Sequence, residues 1–167
     1  MYRFVLVFVC VVITVAQSKR GMYECGRLAH GGIACCNKEG LPKTRAFDDS
    51  ALKECFQMAR KPPPSCDLDI CIAKKSGLAS DDGTMDKTKI TEAIEKSFEN
   101  DTDLADSIKN DCINGDLTKY GPPEMCELAK HKMCVDMHVY KSCDDWSDKG
   151  ECNGMKELAE KCVKEFL

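Results

Sequence analysis

The residues best able to do chemistry in this 167-residue sequence are its thirteen cysteines. Cys10 sits in an apolar leader, and an even set of twelve remains, which in a secreted chain reads as a disulfide framework. Metal binding is the competing chemistry. Its best candidate is "HGGIACC", where His30 precedes the vicinal Cys35 and Cys36. No C-x-x-C pair occurs, and thiols outside the cell are oxidised, so no metal site is expected. The acidic loop "GLASDDGTMDK" fails as an EF-hand. With Gly83 at the sixth position the first would be Leu78 and the twelfth Lys89, where calcium needs carboxylates. A solvated turn is the expectation. Cys66 and Cys71 lie five residues apart, so on a helix they point about 140° from each other and should bond different partners.

Two further groups could respond to the solvent. His131 and His138 are seven apart, about 20° from each other around a helix, and histidine titrates between about pH 5 and 8. The plainer reading leaves both solvated on a polar face; the sharper one makes them a pH-triggered release pair. Asn100-Asp101-Thr102 is a glycosylation sequon at a helix junction. A hydrolase of the secreted phospholipase kind would need a histidine soon after vicinal cysteines, but "NKEGLPKTR" follows Cys36 without one. No G-x-S-x-G elbow appears either, so catalysis is not expected.

The compartment is read from the first residues. Arg3 precedes an apolar run from Phe4 to Ala16, with Thr14 and Ala16 as a small-residue cleavage site, which is the pattern of a secretory signal peptide over 1–16. That run is too short for a membrane span, which needs about twenty residues. The dibasic Lys19-Arg20 is a candidate second processing site. Residues 17–167 are then expected to form one domain. Without Arg3 they carry 23 basic and 28 acidic residues, a net charge of −5, which argues against nucleic acid or anionic lipid as a partner.

The elements that must position the cysteines are helical, because no stretch after residue 16 alternates apolar and polar residues with β-branched enrichment. "DDSALKECFQMARK" has capping residues at Asp48 to Ser50 and stops against Pro62-Pro63-Pro64. Ser65 is a cap for the next helix, which carries Asp67 and Asp69 in its first turn and closes at Gly77. Asp86 caps "KTKITEAIEKSFEN", and a break at Asn100-Asp101 leads into "TDLADSIKNDCI". Gly121-Pro122-Pro123 opens a long helix, "EMCELAKHKMCVDMHVYKSC". A polar loop and a last amphipathic helix with Met155, Leu158, Ala159, Cys162, Val163 and Phe166 complete an all-α chain of six to seven short helices with about six disulfides.

These residues resemble a family. "CDLDICIAKKSGLASDDGTMDKTKITEAI", then Cys112 in "IKNDCIN" with forty residues between it and Cys71, then "CVDMHVYKSC" with eight residues between Cys134 and Cys143, is similar to insect odorant-binding proteins. The surplus cysteines, Cys35-Cys36 before this pattern and Cys152 and Cys162 after it, resemble the Plus-C subgroup. The family pairs its first core cysteine with the third, the second with the fifth and the fourth with the sixth. Carried over, the resemblance implies Cys36–Cys71, Cys66–Cys134 and Cys112–Cys143, with Cys25, Cys35, Cys55, Cys126, Cys152 and Cys162 in further bridges. Four residues rather than three separate Cys66 from Cys71, and Asp144 stands where the subgroup has proline. Seven residues rather than about nine lie between Cys126 and Cys134. A register with Cys126 and Cys134 as fifth and sixth therefore stays open, as do Cys25 and Cys35 as the first.

The resemblance implies a helical shell around a closed apolar cavity, carrying small hydrophobic ligands through an aqueous secretion without a cofactor, with a membrane receptor as a candidate second partner. The alternative function is a secreted salivary or venom-type protein that sequesters a host mediator. On the long helix Met125, Leu128, Met133, Met137 and Tyr140 offer an adaptable, sulfur-rich surface. Ile94, Phe98, Leu104 and Ile108 on the two preceding helices are the other candidate ligand contacts. For each, the bland reading is ordinary core. Trp146, the only tryptophan, is read as a lid or packing residue.

Overall fold

The computed structural model describes residues 24–28, 31–39, 41, 52–58 and 66–167. The leader, Lys19-Arg20, His30, Asp48 to Ser50, Pro62 to Pro64 and Ser65 lie outside the described residues. The described residues are helical, with isolated bridges in place of strands. We label the α-helices α1 (Lys53–Met58), α2 (Asp67–Lys75), α3 (Lys87–Ser97), α4 (Thr102–Ile108), α5 (Glu127–Lys141) and α6 (Met155–Phe166). Short 3-10 turns occupy Ile33–Cys35, Thr118–Tyr120 and Gly150–Cys152, and a π turn, Lys109–Ile113, extends α4.

Local chemistry explains most of the boundaries. Asp86 accepts from the Thr88 and Lys89 amides at the start of α3, and Asp101 accepts from Leu104 at the start of α4, which satisfies amides that have no partner inside the helix. Gly77, at φ +72°, supplies the left-handed residue after α2. Beyond it, the acidic stretch is a turn held by its own groups. Asp82 Oδ1 accepts from Thr84 N and Ser80 Oγ, and these bonds pull its carboxyl down to about 2.

The long helix begins later than its sequence suggests. Residues 122–126 form a turn in which Met125 N donates to Pro122 O, and α5 starts only at Glu127. Cys126 is extended at φ −53°, ψ 133°, as an N-cap residue commonly is, and is bonded to Cys66 at the head of α2.

One core runs through the described residues. The inner faces of α3 and α4 contribute Ile94, Phe98, Leu104, Ala105 and Ile108; α5 contributes Met133, Met137, Val139 and Tyr140. Helix α6 lays Ala159, Cys162 and Phe166 against α5, and Phe166 reaches Tyr120. No described helix is long and apolar enough to cross a membrane.

All twelve cysteines after residue 16 are paired, in two patterns. Six consecutive cysteines interlock as Cys55–Cys71, Cys66–Cys126 and Cys112–Cys134. The six flanking ones nest like brackets, as Cys25–Cys162, Cys35–Cys152 and Cys36–Cys143. Cys66 and Cys71 do take different partners. The implied pairs Cys36–Cys71, Cys66–Cys134 and Cys112–Cys143 are not formed. The reason is visible in the backbone: Asn37 N donates to Asp145 O, Ser147 N donates to Cys35 O, and Cys36 bridges to Trp146. This short antiparallel contact brings Cys36 to Cys143 and removes both from the inner set. The first–third, second–fifth, fourth–sixth order is present, but its register runs from Cys55 to Cys134.

Candidate functional site

Helix α5 is the element through which a functional site would be built, because almost its whole length from His131 to Tyr140 is buried. Its Met133, Met137 and Tyr140 meet Ile94, Phe98, Leu104 and Ile108 of α3 and α4 in one apolar cluster, so seven of the nine expected ligand contacts come together. Met125 and Leu128 do not join it. Both are half-buried, Met125 lying in the turn before the helix with its sulfur against Gly121. Trp146 packs on Tyr140 with ring centroids 5.7 Å apart, and its indole N–H donates to Cys143 O, so it is a packing residue.

A recess of about 330 Å³ opens beside the α3–α4 turn, where Lys38, Lys96 and Phe98 face Asn100 and Asp101. Its walls are largely charged, and the Lys38 ammonium stands 2.6 Å from the Asp101 carboxylate. This is not the closed apolar cavity that the resemblance implies. Asp101 is held below the ordinary carboxylate range, chiefly by its bond from Lys38 and then by the Leu104 amide.

The polar groups inside the core were largely missed by sequence reasoning. His131 and His138 are 8% and 5% exposed, so the expectation of two solvated histidines is corrected. The cause is the Cys112–Cys134 bridge, which draws the π turn onto the face of α5 that both histidines share. Burial lowers both imidazoles from their ordinary value. The Cys112 backbone and Glu127 oppose this at His131, as Asp111 does at His138. His138 Nε2 is 3.2 Å from Asp111 Oδ2 but is not aligned as a hydrogen bond. Tyr120 Oη and His131 Nδ1 are likewise buried without a hydrogen-bond partner. Burial, and then the charge of Asp111, raises the Tyr120 phenol.

On another face of α5, the buried Asp136 carboxylate pairs with Lys132, and Lys132 also acts on Asp69 of α2. Burial raises both carboxyls against the pull of that ammonium. Tyr140 Oη donates to Leu28 O at 2.9 Å, tying α5 to the N-terminal segment. A single histidine periodicity could have flagged the buried imidazoles; nothing in the sequence marks Asp136, since an aspartate in a helix is normally solvated.

The one cluster with metal-ligating atoms among the described residues is Cys112, Cys134 and His138, whose ligand atoms lie within 4.8 Å of one another. Two of its sulfurs are bonded to each other and offer no thiolate. The arrangement is a bridge packed on an imidazole. The His30 half of the other metal candidate lies outside the described residues, and its Cys35 and Cys36 are both in disulfides. No family model, no curated protein and no solved structure matches the chain.

Proposed function

We propose that the protein is a secreted carrier that reversibly binds small hydrophobic ligands of the odorant or pheromone kind within its helical shell. The observation that carries this reading is the interlocked order of Cys55–Cys71, Cys66–Cys126 and Cys112–Cys134, the same order that the resemblance to insect odorant-binding proteins implies. Three nested outer bridges fit the surplus cysteines of the Plus-C-like pattern. An apolar leader and twelve paired cysteines suit an extracellular setting.

The inward faces of α3, α4 and α5 supply the chemistry. Met133 and Met137 can repack around differently shaped ligands. The buried atoms Tyr120 Oη and His131 Nδ1, which have no hydrogen-bond partner in the protein, favour a ligand with one polar end over a pure hydrocarbon. Removing about ten methylenes from water is worth roughly 8 kcal/mol at about 0.8 each, which sets a ceiling near micromolar affinity before the cost of association. Such affinity is reversible, as carriage requires.

The test is displacement of a fluorescent apolar probe from the oxidised protein by a panel of alcohols, aldehydes and fatty acids, with Trp146 emission followed in parallel. Saturable displacement, ranked by chain length and polar end, is expected. A fully oxidised, helical protein that never binds the probe would overturn the carrier reading.

A further inference from the structure

Asn100, Asp101 and Thr102 straddle the junction of α3 and α4 in three different roles. Asn100 ends the turn 98–100, Asp101 is the N-cap of α4, and Thr102 is its first residue. Asn100 and Thr102 are exposed. The Asp101 carboxylate is already engaged, by the Leu104 amide at 3.1 Å and by Lys38 at 2.6 Å. Among the described residues the Asn100 side-chain amide makes no hydrogen bond. Attaching a large, hydrated group to its Nδ2 therefore breaks no native hydrogen bond, and the exposed residue lies in a turn beside the recess that Lys96 and Phe98 also line.

We propose that Asn100 carries an N-linked glycan. The inference rests on the secreted reading, because the transfer takes place only on chains that enter the secretory pathway. The donor is an oligosaccharide linked through a diphosphate to a polyprenol. A bond forms between Asn100 Nδ2 and the anomeric carbon of the first sugar, the bond from that carbon to the diphosphate oxygen breaks, the polyprenyl diphosphate leaves, and the amide loses one proton. The electron count is unchanged and no oxidant is needed. Asp101 is no acceptor in this transfer, since the sugar is carried on the neighbouring amide nitrogen, and its cap and ion pair are compatible with a glycan there. Thr102 supplies the hydroxyl that the sequon requires.

The experiment expresses the full chain in eukaryotic secretory cells, once with its own leader and once behind a proven heterologous leader, and measures intact mass before and after peptide-N-glycosidase in both cell-retained and secreted chain. An enzyme-removable mass increase is expected, with conversion of Asn100 to Asp on release. N100Q and T102A should each lose it, and T102S should keep it. A glycan found only behind the heterologous leader would support this inference while counting against the secreted reading. Unmodified mass behind the heterologous leader would overturn it, as would a glycan that survives in N100Q.

Discussion

Phe166 stacks on Tyr120 with ring centroids 6.0 Å apart and planes 13° from parallel. The pair joins the last turn of α6 to the 3-10 turn that precedes α5, and neither ring is more than 5% exposed. Helix α6 therefore closes the core through an aromatic contact as well as through Cys162. Phe166→Ala should cost about 3–5 kcal/mol by leaving a cavity under Tyr120, and Phe166→Leu clearly less. Urea unfolding followed by Trp146 emission measures both; a midpoint unmoved by Phe166→Ala would show that α6 is held by its bridge alone.

The nested bridges lead to a less obvious expectation. Cys25 and Cys162 are separated by 137 residues and Cys55 and Cys71 by 16. With Cys35–Cys152 intact, however, Cys25–Cys162 closes only the two ten-residue arms, an effective loop of roughly twenty residues. Replacing either pair by alanines should therefore cost a similar amount, about 3 kcal/mol, despite the difference in sequence separation. Denaturant titration of the two double variants decides it, and a loss several kcal/mol larger for Cys25/Cys162 would reject the nested accounting.

The buried histidines predict the acid limb of the stability curve. Their folded pKa values lie below the unfolded value of 6.5, so below that pH the unfolded chain binds more protons and stability falls as pH drops through the lowered folded values. Asp69 and Asp136 act in the opposite sense. Their folded values lie above 3.8, so the folded chain takes up protons first and the cost of burying these charges is relieved as pH falls toward 3.8. Urea midpoints between pH 7.5 and 5 should decline, and His138→Gln should flatten the decline. Because the two carboxyls pull the other way, the variant is the deciding comparison: a His138→Gln profile that runs parallel to wild type would contradict the burial of that imidazole.

Asp101 performs two tasks that substitution can separate. Asp101→Asn keeps an oxygen that can cap α4 and loses the ion pair with Lys38; Asp101→Ala loses both. The cap is worth about 1 kcal/mol. The ion pair, partly open to solvent, adds at most about 1 kcal/mol. Thermal unfolding of protein made without glycan should rank wild type above Asp101→Asn above Asp101→Ala. Equal melting of the two variants would remove the cap from the account.

By itself, the sequence determined the parts of this protein that depend on neighbours a few residues away. Asp86, Asp101 and Gly77 mark helix ends because capping acts within one turn, and the 3.6-residue spacing of Ile90, Ile94, Leu104 and Ile108 names the faces that must be covered. The all-α class follows from the same local evidence, and the pairing of all twelve cysteines from their even number behind an apolar leader. Which cysteine meets which was decided only in the tertiary structure. The open register with Cys126 and Cys134 as fifth and sixth is the one formed, but the first core cysteine is Cys55 rather than Cys36, Cys25 or Cys35, because the backbone contact of residues 35–37 with 145–147 removes Cys36 and Cys143 from the inner set. The late start of α5 at Glu127 and the burial of His131, Asp136 and His138 belong with it. Periodicity tells which side chains share a face, but what that face packs against depends on contacts between residues far apart in the chain, and no local preference encodes those.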